Sequence, residues 1–279
     1  MSLTEHDRTS VGLKYVYPAM SRRSGGLSIG INLNPNNACN WRCIYCQIPN
    51  LIRGSAPPLD FSQLETELNH FLADIIEGDF YQRFKIESAK QQIKDIAISG
   101  SGEPTSLKEF PEAIELIGEI AQQWQLFPKS QFVLITNGSL IHQSRVQQGL
   151  KQFNDYHGQV WFKLDSATHN GRQLFNNTDQ SPLAALENVK LCSQLCETKI
   201  QTCVFNYRDL AFSEIEKEAY LAFLTIVKQN TSIKQVLLYT IARASFQPEA
   251  AELTKLSPQA LDQWAQTIQN LGFEVSVSY

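Results

Sequence analysis

Histidine is scarce in this chain of 279 residues, with five in all, and none stands near the densest run of cysteines. Mixed Cys/His metal sites are therefore short of partners there. No apolar run approaches the ~20 residues of a membrane-spanning helix, and the opening Met1-Ser-Leu-Thr-Glu-His-Asp-Arg8 lacks the basic-then-apolar form of an export signal. The expected setting is a reducing cytoplasm with no membrane partner, where free thiolates persist. Charge is modest too, because 24 Lys and Arg against 28 Asp and Glu leave a net −4. A strongly basic nucleic-acid binder is not indicated, although a local patch of Lys14, Arg22 and Arg23 could meet phosphate. With 14 Gly, 11 Pro and 43% hydrophobic residues, disordered and fibrous classes are excluded as well. The length fits one large α/β domain with a sizeable core.

What the chain does have is Ala38-Cys39-Asn40-Trp41-Arg42-Cys43-Ile44-Tyr45-Cys46. Three thiols this close converge on one centre only if the backbone curls around it, and Asn34-Pro35-Asn36-Asn37 just before supplies turn-forming residues. Thiolates suit zinc and iron–sulfur clusters alike. A structural zinc site is normally closed by four protein ligands, whereas a four-iron cluster on three cysteines leaves one iron open to a small molecule. Both remain open at this point. Disulfides are disfavoured because three is odd and nothing suggests export.

The rest reads as alternating strands and helices. Leu27–Leu33 alternates with period two into the cysteine loop, after a polar arm taken as solvated. Asp60 caps a helix whose Phe61, Leu64, Leu68, Phe71, Leu72, Ile75 and Ile76 recur at helical spacing. Residues 78–92 read as an insertion or a further helix whose Phe80, Tyr81 and Phe84 pack. Strand Ile93–Ile98 ends in Ser99-Gly-Ser-Gly102-Glu103-Pro104-Thr105, where glycines allow close backbone approach and a carboxylate can pair with an ammonium. Helix 107–123 and strand 132–136 lead to Asn137-Gly138. Helix 141–152 leads to strand 159–165, on which Trp161, Lys163 and Asp165 share one face and Phe162 and Leu164 the other. The apolar face must meet the helices, so Lys163 and Asp165 are assigned to the interior, either neutralising each other or serving a ligand. Helix 183–196, strand 200–205, helix 212–229 and strand 235–243 follow, the last with Thr240 and Arg243 at its end. Arg243 could bind a carboxylate or phosphate there. Cys192, Cys196 and Cys203 read as core filling rather than as an auxiliary cluster, because a helix and a strand interior rarely wrap one. A capped helix from Ser257 and strand 273–277 close the chain.

Cys39, Cys43 and Cys46, with the aromatic Tyr45 directly before the last, resemble the cluster loop of the radical S-adenosylmethionine (SAM) enzymes. The resemblance implies a partial (β/α)6 TIM-like barrel of parallel strands over 27–245, with an N-terminal arm (1–26) and a C-terminal helix and strand (246–279) as short extensions. It implies a 4Fe–4S cluster on the three cysteines whose open iron chelates the amino and carboxylate groups of SAM. An electron then cleaves the S–C5′ bond, and the 5′-deoxyadenosyl radical takes a substrate hydrogen. Gly102, Glu103 and Pro104 are similar to the motif that contacts the SAM amino group, and Thr136 and Asn137 to residues lining the SAM pocket. On this reading Asp165 serves the SAM ribose or substrate, Lys163 a carboxylate, and Tyr45 and Arg243 the cofactor region. A flavodoxin- or ferredoxin-type electron donor and an unidentified substrate complete the expectation. The runs Gly30-Ile-Asn-Leu33, Ser99–Thr105 and Thr136–Leu140, with Ser21-Arg-Arg23, are similar to the wyosine-synthase-like branch, which includes the enzyme that rebuilds a tRNA guanine with pyruvate. No cysteine precedes Cys39 to build that enzyme's second cluster, so RNA is a possible but not the favoured substrate. The competing classes are a non-catalytic iron–sulfur protein and a zinc-bound module.

Overall fold

A computed structural model describes residues 11–21, 25–208 and 213–279. The opening octapeptide, the Arg22-Arg23 pair and Phe212, where the sequence placed a helix start, lie outside those residues.

The main sheet contains β1 (Val16–Ser21), β2 (Gly26–Ile31), β3 (Ile93–Ile98), β4 (Gln131–Thr136), β5 (Gln159–Lys163), β6 (Glu197–Tyr207), β7 (Gln235–Thr240) and β8 (Glu274–Ser278). They lie side by side in chain order, with β1 and β8 at the two ends of the path. From β2 to β8 every neighbouring pair on this path is parallel, whereas β1 runs antiparallel to β2, and a short strand off the path, Leu253–Lys255, runs antiparallel to β6. Parallel neighbours require long crossovers. Seven helices of eight residues or more supply them among the described residues: α1 (Phe61–Ile76), α2 (Phe110–Gln123), α3 (Ser144–Asp155), α4 (His169–Asn176), α5 (Pro182–Leu195), α6 (Glu214–Asn230) and α7 (Pro258–Gln269). The result is the curled, open half-barrel that the strand and helix alternation predicts.

Side-chain alternation decides what the barrel does with its two faces. Leu27, Ile29, Ile31, Ile96, Ile98, Phe132, Leu134, Phe162 and Leu164 join the main apolar core. The intervening residues Ser28, Gly30, Asp95, Ala97, Trp161 and Lys163 line an interior cavity instead. The helices answer with stripes of their own, as in α2, where Phe110, Ala113, Ile114, Ile117 and Ala121 are fully buried. Each large apolar side chain so buried contributes about 1.5–3 kcal/mol. Hydroxyl or carboxylate caps start most of these helices, Asp60 on α1, Thr168 on α4, Ser181 on α5, Ser213 on α6 and Ser257 on α7.

Two elements depart from the sequence reading. Residues 16–21, expected as solvated arm, form a strand with Tyr15, Val16, Tyr17, Ala19 and Met20 buried. Pro18 hides it from sequence inspection, and it is tolerated because β1 is an edge strand. Helix α4 was not anticipated, since His169–Asn176 offers only Leu174 and Phe175 as large apolar residues. Its ends are nonetheless marked by the Thr168 cap and by Asn177 in the left-handed region at φ 50°. Elsewhere boundaries shift by a few residues, chiefly because Pro104–Ser106 form a 3-10 turn before α2 begins at Phe110. Phe80 packs on Phe71 and Phe84 with ring centroids 5.4 and 4.7 Å apart, the packing role expected of those aromatics. Cys192 and Cys196 are core residues, the Cys196 thiol donating to the Gly158 carbonyl at 2.9 Å.

Candidate functional site

The cysteine loop is shaped by its asparagines. Asn37 takes a positive φ of 55°, Asn34 Nδ2 donates to the Ala38 carbonyl at 3.0 Å, and Asn36 Nδ2 reaches the Ser55 carbonyl at 3.0 Å. The turn expected from that polar run is therefore present, and Ala38–Cys39 pairs with Ile52–Arg53 to close it. The C-terminal end of α4 holds the other side. Its carbonyls at Asn176 and Phe175 accept from the Arg42 and Ile44 amides at 3.2 and 2.9 Å. Arg42 forms a bidentate pair with Glu249, both contacts 2.7 Å, and the Ser245 hydroxyl caps the Ile44 and Cys46 carbonyls. Arg172, 1% exposed, lies 5.2 Å over the Trp41 ring, and burial lowers its pKa to about 10. Its guanidinium is satisfied by Gln180 and the Ser166 carbonyl.

Cys39, Cys43 and Cys46 are free, half-buried, and all line one cavity of about 1220 Å³. Two of the sulfurs receive N–H donors, Cys39 from the Trp41 amide at 3.4 Å and Cys43 from Asn176 Nδ2 at 3.2 Å. Burial, with Glu103 and Cys43 nearby, pushes the Cys39 thiol up to about 12, and burial pushes Cys43 up to about 11 against the pull of Lys163. Both are thiols until a metal supplies positive charge. Among the described residues no group of three or more His, Cys, Asp or Glu side chains is close enough to hold a single ion. Three thiols lining one cavity, two of them with N–H donors on sulfur, are a soft donor set of the kind that suits an iron–sulfur cluster.

Strand β3 delivers the second part. A Cβ on Gly102 would stand 1.9 Å from the Ala38 carbonyl oxygen and 2.8 Å from the Asn34 side chain, and one on Gly100 would stand 2.2 Å from Asn32 Oδ1. These glycines are thus the price of seating the two loops against each other. Gly102→Ala is expected to destabilise the protein by roughly 1–3 kcal/mol. Urea unfolding alongside iron content after reconstitution would check this, and an unchanged midpoint with full iron would refute it.

Glu103, 2% exposed, lines the cavity, yet its carboxylate is committed to protein donors. Oε1 accepts from the Thr105 amide (3.1 Å), the Thr105 hydroxyl (2.6 Å) and the Thr136 hydroxyl (2.6 Å), and Oε2 from the Asn137 amide (2.7 Å). Burial raises its pKa and these donors work against the rise. It therefore straps the β3 and β4 loops together. Asn137 lines the cavity and passes the strap on, its Nδ2 donating to Asn40 Oδ1 in the cysteine loop at 2.8 Å. Thr136 and Pro104 are buried and do not line the cavity, so they act from behind it.

Lys163 and Asp165 both turn inward, as alternation requires, but they do not meet. The Lys163 ammonium donates to the Tyr45 hydroxyl at 2.5 Å, and that hydroxyl donates in turn to Asp165 Oδ2. Asp165 also accepts from Asn176 Nδ2 (2.8 Å) and the Cys203 amide (3.0 Å) and does not line the cavity, so it orients Tyr45 and Asn176. Burial alone would lower the Lys163 pKa, but Tyr239 and Asp165 outweigh it and the ammonium stands well above its ordinary value. Arg243 lines the cavity mouth and donates to Gln47 Oε1 at 3.1 Å. Sequence inspection missed Asn40, Arg172 and Asn176, whose partners in the site stand 97 or more residues away along the chain. The one local signal was the Thr168 and Asn177 pair that bounds α4.

The family model described as the radical SAM superfamily matches residues 33–217, from just before the cysteine loop into α6. The chain belongs to the radical SAM superfamily. This radical SAM chain is 27% identical over 247 residues to a UPF0026 protein of Helicobacter pylori strain 26695, covering 88% of this chain and 70% of that one. It is 30% identical over 151 residues to the UPF0026 protein of strain J99, where the match spans 53% of this chain and 41% of the relative. Among solved structures it superposes on a radical SAM methyltransferase from Sphaerobacter thermophilus with a TM-score of 0.59 at 12% identity, over 98% of this chain and 71% of that one. A structure of TYW1 with a lysine-pyruvate adduct bound gives 0.55 at 13% identity, over 87% and 73%. At such identities the likeness is one of fold. Within the described residues no helix is long and apolar enough to cross a membrane.

Proposed function

We propose that this chain binds a 4Fe–4S cluster through Cys39, Cys43 and Cys46 and uses it to cleave SAM reductively and functionalise a substrate held in the same cavity. The observation that carries the reading is the convergence of three half-buried thiols and the Glu103-braced turn on one large interior space. When bound, the cluster supplies the electron that breaks the S–C5′ bond, drawn from a flavodoxin- or ferredoxin-type donor.

The chain's own residues hold and line the site. Asn176 and the Trp41 amide donate to two ligand sulfurs, which stabilises their anionic form. Gly100 and Gly102 bring backbone up to the loop, and the Glu103 strap fixes Asn137 beside Asn40. Trp161, Ile135 and Ala97 give the barrel wall apolar surface on the cavity side.

Anaerobically reconstituted protein given dithionite and SAM is expected to release 5′-deoxyadenosine with turnover above a cluster-free control. A brown protein that yields none would reduce the chain to an electron carrier or redox sensor. A colourless protein with stoichiometric zinc would end the proposal.

A further inference from the structure

The cavity wall formed by β5 and β6 carries two polar side chains that the site described so far leaves under-used. Lys163 and Gln201 are register partners on the adjacent strands β5 and β6, and both line the cavity. Gln201 is 2% exposed, and its Nε2 has no hydrogen-bond partner. An amide N–H buried without an acceptor is costly and rare, so a group at such a position in a cavity wall calls for a ligand atom. The Lys163 ammonium has three N–H bonds and one acceptor among the described residues, the Tyr45 hydroxyl. It forms no direct ion pair with Asp165, whose oxygens go to Tyr45, Asn176 and the Cys203 amide.

The other charged groups of the cavity are already engaged. Glu103 accepts from four donors, Asp95 accepts from the Ser28 hydroxyl, and Arg243 reaches Gln47. On β5 and β6 the wall therefore presents a positive charge and a neutral donor on adjacent strands, both short of acceptors among the described residues. Trp161 precedes Lys163 on the same face of β5 and flanks the pair with a large apolar surface.

We propose that Lys163 and Gln201 form the substrate-recognition subsite of this enzyme and that they take a monoanionic carboxylate, one oxygen to each donor, with an apolar portion of the substrate lying along Trp161. A carboxylate matches the pair in charge and in having two acceptor oxygens in one plane, whereas a phosphate dianion would leave charge and acceptors unmatched. The assignment rests on the radical SAM reading only in calling the ligand the substrate.

SAM itself carries a carboxylate, so the test separates the two sources. Butyrate, butyramide and inorganic phosphate are titrated, by saturation-transfer or phosphorus NMR, into anaerobically reconstituted protein with and without saturating SAM. Saturable butyrate binding that survives SAM, with butyramide about tenfold weaker or worse, is the expected result. Lys163→Met should abolish the butyrate preference, and Gln201→Leu should weaken butyrate several-fold while leaving the preference. Absence of saturable butyrate binding, equal binding of butyramide, or tighter binding of phosphate overturns the carboxylate subsite. Loss of butyrate binding on adding SAM gives the anion to SAM and overturns the substrate assignment. The wild-type selectivity needs no variant, so a misfolded Gln201→Leu leaves the proposal exposed to refutation. Iron content and 5′-deoxyadenosine are measured on the same preparation. If those fail, the radical reading falls; if they hold and butyrate fails, only the subsite falls.

Discussion

Cys43→Ala removes the iron, the brown colour and 5′-deoxyadenosine formation together, each falling to the background of a cluster-free control. The thiol it deletes is the one that Asn176 addresses, and a cubane on two protein sulfurs is left with two uncoordinated corners. The fold itself should survive. The Arg42 and Ile44 amides that bracket residue 43 remain bound to α4 through backbone carbonyls, and Arg42 keeps its bidentate partner Glu249. The metal-free variant is therefore expected to unfold within about 1 kcal/mol of metal-free wild type, since an alanine loses little at a half-buried position on a pinned loop. Iron analysis, visible absorbance and chromatographic detection of the nucleoside check all three losses. Retention of colour and turnover would remove Cys43 from the ligand set.

Glu103→Leu should act the opposite way, on the fold first. The buried amides of Thr105 and Asn137 cannot turn toward another acceptor, whereas the hydroxyls of Thr105 and Thr136 can rotate. Leaving two buried N–H groups unpaired costs about 3 kcal/mol, lowering Tm by on the order of 10 °C in a chain this size. Glu103→Gln keeps one acceptor oxygen and should lose less. Because Asn137 is tied to Asn40, the leucine variant should also take up iron poorly. Differential scanning calorimetry of the metal-free proteins separates the two effects. An unchanged Tm in Glu103→Leu would show that the β3 and β4 loops are held together by something else.

This second expectation adds a bracing role to the one that resemblance assigns to Glu103. The family motif suggests a carboxylate facing the SAM amino group, and the structure directs both its oxygens to protein donors. The pair Lys163 and Asp165 behaves similarly. Period-two alternation placed both inside, correctly, but offered only mutual neutralisation or a ligand. A third group, Tyr45, arriving from a loop 118 residues earlier, sits between them and makes both alternatives incomplete.

Legibility followed the range of the forces involved. Strands β2 to β8 and most helices were readable because apolar periodicity and capping side chains act within a few residues. Strand β1 was lost to Pro18, whose cost vanishes at a sheet edge that only the assembled sheet defines. Helix α4 was lost because its stabilisation comes from two polar ends and from Arg172 stacked over Trp41 rather than from an apolar stripe.

The sequence by itself determined the cysteine spacing, the glycine-rich turn and the strand periodicity, and these suffice for the superfamily and the half-barrel. Tertiary structure alone decided that Glu103 is a strap, that Asn176 meets Cys43, and that Gln201 stands unsatisfied beside Lys163. Each of those depends on where a side chain's hydrogen-bonding atoms meet partners from other strands, and such partners are chosen by packing geometry that no local pattern encodes.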